Sequence, residues 1–297
     1  MSPLKVVVTG ANGFIGQHVC KHFLMRGCSV IRVGRSLDRS GFVDLDLRFN
    51  ELTNDNFPSA DVLVHLAAVN NTLSDDEEVM QRINVQDSIN LFNIAASKSV
   101  KAIVYASSIH VYGDVPSPLG VATSTPRPLT PYGRSKLALE RAAAAFSADT
   151  GVACIGLRLA NVYGPGELHK GLMASQVTQL AQQMKKGRPV LFEPGSQVRD
   201  FVYVDDVATA VVESAFCALA GCSTILNCGS GVGVTFNDLV RLLNLSLGLG
   251  REPEYIPEPA NYLKDIVLDI GETKTKLRWN PRTIDVALES YLSSGSK

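Results

Sequence analysis

The sequence predicts a doubly wound α/β fold: a parallel sheet covered by helices on both faces, with a smaller C-terminal lobe interleaved with it. Three observations predict it. Short, continuously apolar, β-branched runs alternate with stretches of helical spacing, as buried parallel strands and their crossover helices do. A glycine-rich turn joins the first run to the first helical stretch. The rhythm then changes after Gly164, where longer helical stretches take over.

The strands are read in order as "KVVVTG" from Lys5, "SVIRVG" from Ser29, "DVLVHLAA" from Asp61, "KAIVYASS" from Lys101 and "VACIGLRLANVYG" from Val152. Between them, "FIGQHVCKHFLMRG", "NVQDSINLFNIAASKS" and "SKLALERAAAAFSADTG" have apolar residues at helical spacing; the first and last stop at a glycine, a common helix terminator. Five prolines between Val115 and Pro131 exclude a helix there and predict a surface loop. Beyond Gly164, helices are expected around Met173–Lys186 and Phe236–Leu247, with strands "RDFVYV" from Arg199 and "TILNCG" from Thr224 between them. The expected organisation is a first domain at 1–164 plus about 202–230, and a second lobe at about 165–201 plus 231–297.

Composition excludes several classes. Of 297 residues, 45% are hydrophobic and 19% charged, which favours a buried interior over disorder. With 28 Lys and Arg against 29 Asp and Glu, the net charge is −1, without the basic excess of a general nucleic-acid binder. No run of about 18 apolar residues marks a membrane span. Met1 to Lys5 leads straight into the first strand, so no secretory signal is read. The cysteines, at 20, 28, 154, 217, 222 and 228, form no C-x-x-C pair. They read as reduced thiols of a cytoplasmic protein, with no metal site.

"VVVTGANGFIGQHV" places Gly10, Gly13 and Gly16 between the first strand and first helix. Glycines there let backbone N–H groups and the helix N-terminus approach a pyrophosphate. Gly10, Asn12, Gly13, Phe14, Ile15 and Gly16 are therefore the candidate cradle of a Rossmann-type dinucleotide site. The end of the second strand distinguishes the two nicotinamide dinucleotides. An NAD site usually has an acid there for the ribose hydroxyls; this sequence has Gly34, Arg35 and Ser36. Arg35 suits a 2′-phosphate, which favours NADP over NAD, although an exposed loop arginine accounts for it too. Asp46 and Leu47 suit the adenine amino group and face, or simply end a strand.

"TPYGRSKLALE" contains Tyr132 and Lys136, four residues apart and so on one helix face. A free phenol with a pKa of about 10 is a poor base at neutral pH; a nearby ammonium together with the positive nicotinamide ring is expected to lower it by about 1–3 units. Tyr132 would then take a proton from a sugar hydroxyl. Ser108, at the end of "YASS", is placed to orient that hydroxyl, or merely to cap its strand.

The ordered set "TGANGFIG", "HLAA", "INV", "SSIHVYG", "PYGRSK", "NVYGPG" and "RDFVYVDD" resembles the extended short-chain dehydrogenases/reductases, within them the nucleotide-sugar epimerase/dehydratase family. The resemblance runs from about Lys5 to Pro281. It implies a catalytic triad of Ser108, Tyr132 and Lys136, with Lys136 also on the nicotinamide ribose. It implies cofactor contacts from Leu66, Ala67, Ala68 and Asn84, and Asn161 and Arg199 facing the diphosphate of a nucleotide-sugar substrate. It further implies a homodimer or larger homo-oligomer paired through helices near Asn84–Ser99 and Ser135–Ser147. Leu91, Ile94 and Leu139 there are expected to exceed what one sheet face covers.

The 4,6-dehydratases of this family carry an acid after the serine; Ile109 and His110 stand here, which argues against dehydration. His110 is either an acid/base group or a space-filling side chain. "GELHKGLMASQVTQL" from Gly166 resembles the ADP-glycero-manno-heptose 6-epimerases, in which the lysine of this segment is a second acid/base. Lys170 holds that position, or is an exposed loop lysine. The leading expectation is a nucleotide-sugar epimerase. An NADPH-dependent 4-ketoreductase making a deoxysugar nucleotide needs the same triad. A non-catalytic dinucleotide sensor usually loses the Tyr or Lys, and both are intact.

Overall fold

The structure, a computed structural model, describes residues 2–34, 42–44, 56–70, 76–259, 262 and 265–294. In chain order the elements are β1 (Lys5–Thr9), α1 (Phe14–Met25), β2 (Ser29–Gly34), β3 (Phe42–Asp44), β4 (Val62–His65), α2 (Glu77–Gln81), a π-helical turn (Arg82–Asp87) and α3 (Ser88–Ser97). There follow β5 (Ala102–Ser108), a 3₁₀ turn (Ile109–Val111), α4 (Pro131–Thr150), β6 (Ala153–Leu159), β7 (Asn161–Tyr163), a second 3₁₀ turn (Leu168–Met173), α5 (Gln176–Lys186), β8 (Val190–Phe192), β9 (Val198–Tyr203) and α6 (Val204–Leu219). The last are β10 (Thr224–Cys228), β11 (Gly233–Thr235), α7 (Phe236–Leu247), β12 (Glu254–Ile256), β13 (Asp265–Ile266), α8 (Gly271–Leu277) and α9 (Ile284–Ser294).

A seven-stranded sheet runs in the order β10-β6-β5-β4-β1-β2-β3, with every adjacent pair parallel. The order reverses between β1 and β4. In an open parallel sheet, the crevice at the carboxyl ends of the strands beside that reversal is where ligands bind. Alternation along the buried strands sends their side chains into two cores. Val6, Val8, Val62 and Val64 meet α1 and α6, whereas Val7, Leu63 and Ile103 meet α3 and α4. A third core joins Tyr163, Phe201 and Tyr203 to α5, α7 and α9.

Several expectations change. "VACIGLRLANVYG" is two strands: β6 stays in the large sheet, and β7 pairs with β9 in a small one. Between them, Ala160 N–H donates to Cys228 O, extending the β10 pairing one residue past β6 before the chain changes sheet. Residues 204–219, read as no element, form α6, with ten buried residues against the large sheet. The proline-rich loop is not simply a surface loop. Leu119 is buried, its N–H donates to Val267 O at 2.8 Å, and its carbonyl accepts from Asp269 N at 3.0 Å. Leu91, Ile94 and Leu139 are covered within this single chain, so they leave no uncovered apolar face to argue for a dimer.

Candidate active site

The glycine turn is shaped by close backbone approach. Gly10 adopts φ +67°, and a Cβ there would stand 2.8 Å from Ala67 N. A Cβ on Gly16 would lie 2.1 Å from Gly10 O. Only glycine lets α1 begin this close to the loop. Gly13 caps α1 without any side-chain hydrogen bond, and the first turn, which holds Phe14 and Ile15, contains no acid. The carbonyl of Asn12 accepts from Gln17 Nε2 at 2.8 Å. Leu66 and Ala67 are fixed beside the loop by bonds to the Thr9 carbonyl and hydroxyl, and Ala68 follows them. Backbone donors, no competing carboxylate and space that a methyl group would fill suit a dinucleotide pyrophosphate. Arg35, Ser36, Asp46 and Leu47 lie outside the described residues.

Two buried polar residues hold this cradle. His65 lies between the Thr9 hydroxyl, 2.8 Å from Nδ1, and the Ser88 hydroxyl, 2.9 Å from Nε2. Burial, aided by the Lys136 charge, pulls its pKa down to about 3, so it is a neutral structural imidazole. Asn84, 1% exposed, accepts from Val69 N–H at 2.8 Å and donates to Val69 O at 2.7 Å and to Ser135 Oγ at 3.0 Å. It is a bracket tying the loop after β4 to α4, rather than a group left open to a ligand.

The triad comes together where β5 meets α4. Thr130 caps α4, accepting from Gly133 N–H at 3.1 Å, and Pro131 opens it. A Cβ on Gly133 would sit 2.5 Å from His110 O. That glycine lets the first turn of α4 lie on the 3₁₀ turn after β5, bringing Tyr132 to Ser108. The Ser108 hydroxyl accepts from His110 N–H at 3.2 Å and makes a side-chain hydrogen bond with Tyr132. One turn along α4, buried Lys136 donates to Ala106 O at 2.8 Å, with its Nζ 5.7 Å from the centre of the Tyr132 ring.

The expected lowering of the phenol pKa does not occur in the chain by itself. Burial pushes Tyr132 up to about 12, offset in part by the Ser108 hydrogen bond. Lys136 is brought down to about 8 by its own burial, against the pull of Glu140. Its ammonium is turned to a carbonyl rather than to the phenol oxygen. Activating Tyr132 therefore takes further positive charge at the site. Glu140, the next turn of α4, accepts from Ser107 Oγ and from both Nε and Nη2 of Arg158, at 2.9 and 2.7 Å. This buried pair fixes the back of α4 to β5 and β6. The sequence gives no signal of it beyond two charges in apolar surroundings.

The other wall comes from β7, β9 and the 3₁₀ turns after β5 and β7. Asn161 donates to Asp200 O at 3.0 Å. Arg199 is 6% exposed, with its guanidinium 4.9 Å from the Tyr262 ring centre. His110 opens into the cleft 5.9 Å from the Tyr132 ring; partial burial, and then the Arg199 charge, holds its pKa below the ordinary value. Lys170 lies with Nζ 4.3 Å from the centre of the Phe14 ring and 3.3 Å from Glu167 Oε1. Glu167 is buried and accepts from Ser175 N–H and from the Ser175 and Thr178 hydroxyls, each at 2.8 Å. Lys170 is thus anchored beside the first residue of α1, facing the cradle.

Three residues that sequence reading missed tie the elements around the cleft together. Asp200 accepts from Ser230 and Gly231 N–H at 2.7 and 3.1 Å and from Leu268 N–H at 3.2 Å. Burial raises its pKa against these bonds. His18 and Asp205 join α1 to α6, with 2.6 Å between Nδ1 and Oδ1, while His18 Nε2 meets Pro165 O at 3.0 Å. Burial works to lower the His18 pKa, but the bonds to Asp205 and Pro165 outweigh it and the pKa is raised. Only "VDD" following a strand hints at Asp205.

Residues 6–229 match the NAD dependent epimerase/dehydratase family. The chain belongs to that family. It is 34% identical to an ADP-L-glycero-D-manno-heptose-6-epimerase of Cupriavidus pinatubonensis, over 80% of this chain and 76% of the relative. Its fold superposes on the UDP-glucose 4-epimerase of Thermotoga maritima, solved with UDP-glucose, with a TM-score of 0.87 at 29% identity, covering 99% of this chain and 100% of that one. The ADP-L-glycero-D-manno-heptose-6-epimerase of Helicobacter pylori gives a TM-score of 0.85 at 29% identity, covering 98% and 96%. Among the described residues, no helix of this family member is long and apolar enough to cross a membrane.

Proposed function

We propose that this protein is an NAD(P)-dependent nucleotide-sugar epimerase working through a transient keto sugar. The observation that carries the reading is the Ser108–Tyr132–Lys136 arrangement at the edge of the glycine cradle, in a chain of this family. When bound, the dinucleotide supplies reversible hydride acceptance and the positive ring charge that the phenol lacks. Gly10, Asn12, Gly13, Phe14, Ile15 and Gly16 would hold its pyrophosphate, with Leu66, Ala67 and Ala68 flanking it and Lys136 on the nicotinamide ribose. Ser108 orients the sugar hydroxyl. Tyr132 takes its proton as the ketone forms. Asn161 and Arg199 would face the diphosphate of the substrate; a guanidinium suits it because it bonds two oxygens at once.

Lys170 is the second acid/base in this reading, serving the oxygen after the sugar reorients. Its support is the anchored position over Phe14 and the likeness to heptose 6-epimerases. NADP is the preferred cofactor. What supports this is Gly34 where an NAD site carries an acid; among the described residues, Ala11 N, at 3.9 Å, is the one atom near a Cβ built there. Titrating both dinucleotides against the parent and Arg35→Asp tests it: the parent should favour NADP and the variant NAD, and equal parent affinities would overturn the preference. A cytoplasmic homodimer or larger homo-oligomer is the form the family resemblance implies, and a monomeric mass by light scattering at micromolar concentration would refute the assembly.

Incubation with ADP-heptose and UDP-hexose, with and without added NADPH, tests the activity. Conversion to the epimer without net cofactor loss is expected. Stoichiometric NADPH oxidation would instead establish a ketoreductase, a reading that the epimerase relatives do not favour.

A further inference from the structure

Four of the six cysteines are buried; Cys217 and Cys222 are partly exposed. We propose that Cys217 and Cys222 form a redox-active dithiol, a modification site for small disulfides of the glutathione class, which closes into an intramolecular disulfide across the C-terminus of α6. The backbone carries the inference. α6 ends in a Schellman motif: Cys222 N–H donates to Cys217 O at 3.1 Å, and Gly221 N–H donates to Ala218 O at 2.8 Å. Gly221, at φ +89°, supplies the left-handed residue, and a Cβ there would touch nothing within 4 Å. The glycine is thus needed for its backbone angle and not for space.

In this motif the third-last helical residue and the second residue past the cap lie against each other, normally as an apolar contact. Here both are cysteines, so the same motif sets their side chains toward each other. The backbone bond between the same two residues brings their Cα atoms toward the roughly 4.4–6.8 Å that a disulfide spans. A solvent-open groove of about 770 Å³ reaches Cys217, lined also by Phe216, Lys276, Arg278 and Trp279. The Lys276 ammonium, paired with Glu272 at 3.1 Å, carries its charge to both sulfurs. The site stands apart from the cleft. Asp205, which touches α1 beside the cradle, lies in the first turn of α6, and the helix carries Cys217 about 18 Å along its axis from there.

The chemistry balances. One thiol loses its proton to solvent, and its thiolate attacks a sulfur of oxidised glutathione, expelling one glutathione thiolate. The neighbouring thiol, deprotonated in turn, attacks the protein sulfur of that mixed disulfide and expels the second glutathione. Two protein thiols are oxidised and one glutathione disulfide is reduced to two thiols. Burial holds the Cys217 thiol at about 11, so the first attack is slow near neutrality and contact between the sulfurs drives the second.

The folded full chain is incubated with oxidised glutathione at pH 8, quenched with acid, alkylated and weighed intact. The parent is expected to lose two alkylatable thiols, fall in mass by two hydrogens and retain no glutathione. Cys217→Ser and Cys222→Ser are each expected to form no disulfide and to retain one glutathione. Circular dichroism checks each fold, and Cys217→Ala replaces any serine variant that fails to fold. A parent that keeps all its thiols or holds glutathione as a stable adduct would overturn the proposal, as would a disulfide persisting in either variant.

Discussion

Tyr132, Lys136 and Glu140 stand on successive turns of one helix, whereas Lys170 and Arg199 reach the cleft from a 3₁₀ turn and a separate strand. The first wall is rigid and local. α4 is set by one cap, one glycine contact and one buried ion pair, so fixing Tyr132 fixes its partners. The second wall is assembled largely at long range: the Glu167–Lys170 pair is local, but Asp200 ties β9 to two other segments, and Tyr262 covers Arg199. In the proposed reading, the groups of the first proton transfer sit on the wall that helix geometry controls, and the substrate-facing groups on the wall that packing controls.

The comparison breaks first at Tyr132. Tyr132→Phe should lower turnover about 10²–10⁴-fold while dinucleotide binding and thermal unfolding stay at parent values, because only the hydroxyl is removed. Turnover within a few-fold of the parent would deny the first wall its proton.

Lys136 sharpens the same wall through stability. Its folded pKa, about 8, lies below the ordinary 10.5, so the native state binds fewer protons between those values. Stability from this group then rises with pH through that window, and a penalty of up to about 3 kcal/mol applies below it. Lys136→Met should abolish activity, yet in urea unfolding it should gain on the parent at pH 7 and lose that advantage by pH 10.5. A pH-independent difference would show that burial costs this lysine nothing.

On the second wall, Lys170→Ala should lower turnover at least ~30-fold, while single-turnover cofactor reduction survives, since Tyr132 still runs the first half-reaction. Loss of both would make Lys170 a binding residue, and loss of neither would make it a surface lysine. The smallest effect is expected at the junction of the walls. His18 has a raised folded pKa, so its bond to Asp205 stabilises fully below pH 6.5 and fades as pH rises through that pKa. His18→Gln should therefore cost more at pH 6 than at pH 8.5, by about 1 kcal/mol or less. An equal loss at both would assign the bond to the neutral ring.

The two walls also differ in how far they could be read from residues. Gly10, Gly16, Tyr132 and Lys136 were legible because a strand-to-helix turn and a four-residue helical spacing are local geometries. Splitting "VACIGLRLANVYG" into two strands was not legible, because β7 pairs with a partner some 40 residues later, and a continuous apolar run carries no mark of changing sheets. α6 was missed for a related reason: its apolar, β-branched run "VATAVV" fits a strand as readily as a helix, and only its burial against the large sheet decides.

By itself the sequence determined the parallel sheet, the cradle at its first turn and the order of proton-handling groups along α4, since each follows from the period of a strand, the period of a helix or the missing side chain of glycine. Tertiary structure alone decided what those groups experience. It turned Lys136 to the Ala106 carbonyl, raised the Tyr132 pKa through burial and closed Asn84 into a bracket. It also covered Leu91, Ile94 and Leu139 within one chain and put Cys217 against Cys222. The physical reason is that desolvation and contact depend on everything packed around a group, and residues far apart in the chain contribute most of that surrounding.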